Sequence, residues 1–314
     1  MNITNYLGMM SGLSLFLYGI HMLSESLKYY ENKLDSLFQY ITRNKFIAVL
    51  TGMLVTAVIQ SSSALSVMLI GLVNTGILPL ENAIWTLMGA DIGTTITGQI
   101  IALDIGILAP ICALIGVICL VFMKCYKIGG LLAGLGILFI GMEIMSSSMI
   151  PLAKEQYFLN MLSMLENPIM AILVGTLFTA CIQSSSASIG ILQILALSYL
   201  IEFKIAAYVV FGMNIGTCIT SLLASLTGNK NSKRLALFHM MFNILGAIIF
   251  TVLCMNSSLL KYVEIYSYNP ANAIANLHTL YNIVMVLIVL PFDRYLIKFI
   301  YRIIPDKKCI KIVI

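Results

Sequence analysis

Gln60, Ser61, Ser62 and Ser63 place one amide and three hydroxyls in four consecutive positions, and Gln183, Ser184, Ser185 and Ser186 do so again. A serine hydroxyl donates to an anion through its proton and binds a cation through its lone pairs. A glutamine carbonyl suits a hard cation such as Na⁺ while its NH₂ donates. The likeness extends beyond the four residues. Gly52 to Ala64 reads GMLVTAVIQSSSA and Gly175 to Ala187 reads GTLFTACIQSSSA, alike at ten of thirteen positions with an offset of 123. Gly89 to Thr97 (GADIGTTIT) and Gly212 to Thr220 (GMNIGTCIT) recur at the same offset. The chain is an internal duplication whose polar residues sit in very apolar surroundings. That combination points to a pseudosymmetric membrane transporter with a site assembled from both halves.

Each motif suggests a conformation. A straight lipid-facing span centred on Gln and three Ser would be costly, whereas two half-helices meeting at a turn lined by protein would put the polar residues at a break. The start of the second half-helix then offers free backbone N–H groups and the positive end of the helix dipole, enough to hold an oxyanion without Lys or Arg. None of the four motifs contains Lys or Arg. In the second pair, two glycines four apart with Thr and an acid or amide are expected to unwind a span midway. Freed carbonyls, with Asp91, Thr94 and Thr95 or with Asn214 and Thr217, would then give the hard oxygen ligands that sodium prefers. Close helix packing is the competing explanation for the glycines and for the serines. Asp91 is the one carboxylate in the four motifs and Asn214 its counterpart.

The elements that must position these residues follow from composition. The chain has 314 residues, 60% apolar, 10% charged, with a mean hydropathy of +0.99. A soluble domain carries about 25% charge. The reading is an all-α polytopic membrane protein forming one transmembrane domain over 1–314. Repeat one covers about 6–125, repeat two about 128–256, and an extra terminal span about 275–298. Seven apolar spans are expected (6–27, 82–103, 107–124, 128–149, 204–227, 235–256 and 275–298), with QSSSA-bearing re-entrant hairpins at 46–77 and 168–200. With that topology fifteen of the eighteen Lys and Arg fall on one side, which the positive-inside rule makes cytoplasmic. The N-terminus is then outside, the C-terminus inside, and the second half inverted. Full crossing by both QSSSA stretches changes the division only to fourteen and four, so the hairpins rest on their buried polar centres. No cleavable leader is expected.

The links at 29–45 and 151–167 carry Leu34, Leu37, Phe38 and Ile41, and Leu159, Leu162 and Leu165, at helical spacing, and are expected to be amphipathic helices. The seven cysteines lack metal-type spacing and are expected to be buried free thiols. His239 and His278 each precede an Asn by four residues (Asn243, Asn282), a face suited to interhelical hydrogen bonding; proton coupling is the sharper alternative. His21 and Glu143 nearly correspond across the duplication and are candidates to pair.

Paired QSSSA motifs in inverted halves, each followed by a GA(D/N)IGT-like segment, resemble the type II sodium/phosphate cotransporter family, from about Leu13 to Phe292. The resemblance implies sodium-coupled uptake of inorganic phosphate by alternating access, in which two hairpins and two unwound helices move against a scaffold of the other spans. It implies phosphate contacts from Gln60, Ser61, Ser62, Ser63, Gln183, Ser184, Ser185 and Ser186, and sodium contacts from Asp91, Thr94, Thr95, Asn214 and Thr217. Asp91 stands where the family has Asn, and Met213 and Cys218 replace a small residue and Thr, which bears on sodium stoichiometry. Some bacterial relatives append a cytosolic helical regulatory domain; this chain ends soon after its last span. Sodium is the transported co-substrate, with no organic cofactor. The setting is the inner membrane bilayer, with no nucleic-acid partner; a homodimer and a separate regulatory protein are left open. A transporter of another oxyanion (sulfate or a carboxylate) is the first alternative, a passive anion channel the second. An intramembrane serine hydrolase is disfavoured, because no nucleophile motif is present and one active site does not need the serine run twice.

Overall fold

A computed structural model of the protein describes residues 3–28, 44–103, 105–149, 151, 160 and 164–306. Those residues form twelve α-helices: α1 (Ile3–Lys28), α2 (Lys45–Ile59), α3 (Ser62–Asn74), α4 (Leu80–Ile101), α5 (Leu108–Val121), α6 (Tyr126–Met149), α7 (Pro168–Ile182), α8 (Ser185–Leu197), α9 (Phe203–Ser225), α10 (Lys230–Asn256), α11 (Leu259–Ile265) and α12 (Pro270–Ile303). Four helical stretches are long and apolar enough to cross a membrane by themselves: Ile3–Leu23 of α1, and α6, α9 and α10. The all-helical, polytopic membrane class follows. The expected span at 107–124 is shorter, α5 having 14 residues, about 21 Å at 1.5 Å per residue. The terminal span is longer, α12 having 34. The linking segments expected to be amphipathic lie almost wholly outside the described residues, including Leu34, Leu37, Phe38, Ile41, Leu159 and Leu162.

Both QSSSA motifs stop one helix and start the next. Gln60 adopts a left-handed conformation (φ 55°), and its N–H donates to Thr56 O at 2.7 Å, closing α2. Ser61 is extended and caps α3, its Oγ accepting from Ala64 N at 3.1 Å. Gln183 (φ 55°) closes α7 by donating to Thr179 O at 2.8 Å, and Ser184 Oγ caps α8 by accepting from Ala187 N at 3.3 Å. A non-glycine residue in this conformation carries strain of order 1–2 kcal/mol, so a run of glutamine then serine makes a break that generic apolar sequence would not. With 13 to 15 residues each, the four half-helices are about 20–22 Å long.

The second pair of motifs corrects an expectation. α4 runs unbroken through GADIGTTIT and α9 through GMNIGTCIT. The glycines do not unwind these helices; they admit a neighbouring backbone. A Cβ at Gly52 would fall on the carbonyl oxygen of Thr86, and one at Gly89 on that of Val49, so α2 and α4 touch at main-chain distance. α7 and α9 repeat this, with Gly175 against Val209 O and Gly212 against Ile172 O. One turn further on, Gly93 and Gly216 receive Thr56 and Thr179, whose Cβ atoms would lie 2.7 and 2.9 Å from an added Cβ.

Around these paired half-helices two groups of helices separate. α1, α5 and α6 form one, with Gly12 and Gly19 of α1 against Gly141, Met145 and Leu138 of α6, and Gly116 of α5 against Ala133. A second, larger core joins α2–α4, α7–α10 and α12. In it α12 packs against α4 as α10 packs against α9. The Phe16 ring lies on Gly190 of α8 and so links the two groups. Of the six described cysteines, all free, Cys218 and Cys254 are buried, while Cys125, between α5 and α6, and Cys181, on α7, are exposed.

The backbone contacts make a sharp mutational contrast. Gly89→Ala should destabilise the protein by about 2 kcal/mol or more, because the methyl meets a carbonyl oxygen that cannot move without α2. Gly71→Ala, where nothing lies within 4 Å, should be neutral or stabilising by up to about 1 kcal/mol. Thermal unfolding of the purified variants in detergent checks both, and equal midpoints would refute the reading of Gly89.

Candidate functional site

The two QSSSA motifs converge. Ser63 and Ala64, from the start of α3, line one open cavity of about 680 Å³ together with Gln183 and with Thr220, Leu223 and Ala224 of α9. The cavity therefore takes polar groups from both halves of the duplication. The copies are not equivalent: Gln60 is 8% exposed and Ser62 3%, whereas Gln183 is exposed to the cavity. Gln60 Oε1 and Ser62 Oγ are buried with no hydrogen-bond partner. The Oγ atoms of Ser61 and Ser184 accept from backbone in their caps, but their O–H protons stay free to donate. The first-turn N–H groups of α3 and α8 have no carbonyl in their own helices. An anion in this cavity would meet the Ser63 and Thr220 hydroxyls, the Gln183 amide and the start of α3, with no Lys or Arg in the lining.

Beside it, the second motifs are held by the two histidine-bearing helices. Asp91 (6% exposed) accepts at Oδ1 from His239 Nε2 at 3.2 Å and at Oδ2 from Asn243 Nδ2 at 3.2 Å. On its other side His239 Nδ1 stands 2.8 Å from Ser221 Oγ. In the other half, Asn214 Oδ1 accepts from His278 Nε2 at 3.0 Å. The pairing is crosswise. His239 sits on α10, packed chiefly on α9, yet reaches Asp91 of α4; His278 sits on α12, packed chiefly on α4, yet reaches Asn214 of α9. His239, Asn243 and His278 are thus found in interhelical hydrogen bonds, whereas Asn282 Nδ2 donates to His278 O of its own helix at 2.9 Å. Asn243 Nδ2 also approaches Cys218 Sγ at 3.4 Å, and Tyr281 OH donates to Asn243 O at 2.9 Å.

The other sequence-predicted ligands have helical partners. Thr94 Oγ1 donates to Ala90 O (3.1 Å), Thr95 Oγ1 to Ile92 O (2.8 Å) and Thr217 Oγ1 to Met213 O (2.9 Å). Each keeps oxygen lone pairs able to face a cation. His21 and Glu143 are both exposed and make no hydrogen bond with each other: His21 lies level with the Gly134 end of the α1–α6 contact, Glu143 with the Gly12 end. Thr56 and Thr179 match across the duplication but are not among the sequence-predicted ligands; that match is the signal that could have found them. Thr220 was within a quoted motif but was not singled out, and only the cavity reveals it.

Comparison with known proteins fits this site. The sequence model of the family described as Na⁺/Pi-cotransporter matches residues 15–147 and again 140–265. The chain belongs to the Na⁺/Pi-cotransporter family. The two matches fall one on each half of the duplication. Within the curated relatives, the chain is 33% identical over 297 residues to the uncharacterised protein YqeW of Bacillus subtilis, covering 93% of this chain and 96% of that one. It is 26% identical over 306 residues to the putative inorganic phosphate export protein YjbB of Salmonella typhimurium, covering 96% of this chain but 56% of that one. The chain thus spans little more than half of the latter's length. It is 31% identical over 134 residues to the human sodium-dependent phosphate transport protein 2B, covering 39% of this chain and 19% of the relative. No solved structure matches the chain.

The buried carboxylate sets a measurable coupling. Removing the partner of a buried polar group leaves it unsatisfied, which typically costs 1–3 kcal/mol and more where the group is charged. His239→Ala should therefore cost about 3 kcal/mol or more with Asp91 present, and only about 1 kcal/mol in an Asp91→Asn background. A double-mutant cycle on unfolding free energy measures the difference; additive effects would mean that the pair is not coupled.

Proposed function

We propose that this protein is a sodium-coupled phosphate transporter working by alternating access. The observation that carries the reading is the shared cavity: Ser63 at the start of α3 and Gln183 at the turn between α7 and α8, one from each QSSSA motif, line the same space. Phosphate is a tetrahedral oxyanion, and hydroxyls, amides and helix-start N–H groups from two directions suit it. In this reading Gln60, Ser61, Ser62, Ser63 and their counterparts Gln183, Ser184, Ser185 and Ser186 hold phosphate. The oxygens of Asp91, Thr94, Thr95, Asn214 and Thr217, one helix away, hold sodium.

The proposed topology has α2–α3 and α7–α8 as re-entrant hairpins in two inverted repeats, in the inner membrane, with the N-terminus outside and the C-terminus in the cytoplasm. The half-helices are too short to cross a hydrocarbon core of about 30 Å singly, which supports hairpins. The distribution of Lys and Arg supports the orientation. Under that orientation the shared cavity runs from the motif tips along Val67, Met68, Leu223 and Ala224, towards the cytoplasm. Direction follows from gradients. Each Na⁺ moving inward down 100 mV releases about 2.3 kcal/mol, so two or three ions suffice to bring in a divalent anion against its gradient and the potential. A relative named for phosphate export is compatible with the same chemistry run under a different balance of gradients.

The test is phosphate uptake into proteoliposomes under an inward Na⁺ gradient, with K⁺ as control. Uptake should require sodium. Ser62→Leu and Ser185→Leu should each lower it about tenfold or more, equivalent to roughly 1.4 kcal/mol of lost binding. Equal uptake in K⁺ would reject the coupling. Sodium-driven uptake of sulfate in preference to phosphate would reassign the substrate and keep the mechanism.

A further inference from the structure

Thr56 and Thr179 are wholly buried, both at 0% exposure, and neither Oγ1 has a hydrogen-bond partner. A threonine inside a helix ordinarily donates to the carbonyl four residues back, as Thr86, Thr94, Thr176 and Thr217 do here. Leaving a buried hydroxyl unpaired costs about 1–3 kcal/mol. Among the described residues Thr251 Oγ1 shares this lapse, but Thr56 and Thr179 are the two related by the offset of 123, each four residues before the glutamine of a QSSSA motif. Each threonine also lies on a glycine of the second motif, Gly93 or Gly216, immediately before Thr94 or Thr217. In the first half the adjacent turn adds two more buried, unpartnered oxygens, Gln60 Oε1 and Ser62 Oγ. Packing alone does not explain a hydroxyl here, since valine has the same shape and no polar atom to leave unpaired.

We propose that Thr56 and Thr179 are cation ligands, each supplying a hydroxyl oxygen to a monovalent-cation subsite between its hairpin and the glycine-bearing helix behind it. In the first half Gln60 Oε1 is a co-ligand. This rests on the reading of the protein as sodium-coupled and names the residues that join the hairpin to that coupling. Hard oxygen donors with no charge of their own suit Na⁺ rather than a divalent ion. Because Thr56 belongs to α2 and Gly93 to α4, an ion held there would tie hairpin to helix.

The experiment uses the whole protein with Thr56→Val, Thr179→Val and Thr56→Ser. Sodium-dependent phosphate uptake and the thermal midpoint are read with NaCl or KCl. Thr56→Val should raise the sodium concentration for half-maximal uptake about tenfold, leave the phosphate dependence at saturating sodium unchanged, and lose the stabilisation by NaCl. Its midpoint in KCl should equal or exceed that of the unaltered protein, since an unpaired buried hydroxyl has gone. Thr56→Ser should restore the sodium response, and Thr179→Val should show the same pattern in the other half. Unaltered sodium dependence in both valine variants would overturn the proposal. So would a lower midpoint in KCl, which would mark a structural hydrogen bond. If the unaltered protein itself shows no sodium response in either measurement, the functional reading fails instead, and the two failures are told apart.

Discussion

Backbone-to-backbone contact of α2 with α4, and of α7 with α9, is the constraint from which the rest follows. Gly52 and Gly89 in one half, Gly175 and Gly212 in the other, bring carbonyl oxygens where a methyl would otherwise stand. In a membrane, where apolar side chains gain little from associating with each other rather than with lipid, close packing of this kind is a main source of helix association. The contact fixes the height of α2 against α4, hence of Gln60 against Asp91, and of α7 against α9. Once these heights are fixed, the left-handed glutamines can turn the chain and the following serines can start the next helix, so Ser63 from one turn and Gln183 from the other come to one cavity.

The polar groups then fall into two sets with different duties. Serines 61 and 184 shape the turns, and Ser63, Gln183 and Thr220 face the cavity. Asp91 and Asn214 are bound by histidines from helices packed chiefly against the opposite half. This crosswise arrangement makes α10 and α12 part of the hairpin assembly. The assembly therefore extends beyond the four elements that a comparison of motifs would include, and α1, α5 and α6 remain as the separate group.

Much of this was legible in the sequence, because the duplication showed which residues mattered and the apolar background showed where polar atoms were out of place. QSSSA could be read as a break, since Gln-Ser-Ser-Ser is poor lipid-facing sequence and serine is a strong N-cap. GADIGTTIT was misread for a physical reason: glycine both weakens a helix and admits a neighbour, and sequence alone does not say which of the two applies. The HxxxN faces were legible as hydrogen-bonding surfaces, but their partners, and the exchange between halves, depend on how α10 and α12 pack. Thr56 and Thr179 were illegible one at a time, because an unpaired hydroxyl is a property of the surroundings and not of the residue. The equivalence of α12 to α10 was hidden because it does not follow the offset of 123.

The kinds of neighbour met in the two halves also bear on how a doubled gene can drift. Positions 52, 89 and 93 face main-chain atoms of the adjoining helix, as do 175, 212 and 216, and main chain cannot be exchanged for something smaller. Every one of these six has stayed glycine. Positions 91 and 214 face side chains, which can change along with them, and here the copies have parted into aspartate and asparagine. The duplication has thus kept its glycines as a shared inheritance, while at the histidine-facing positions each copy has been free to take its own charge.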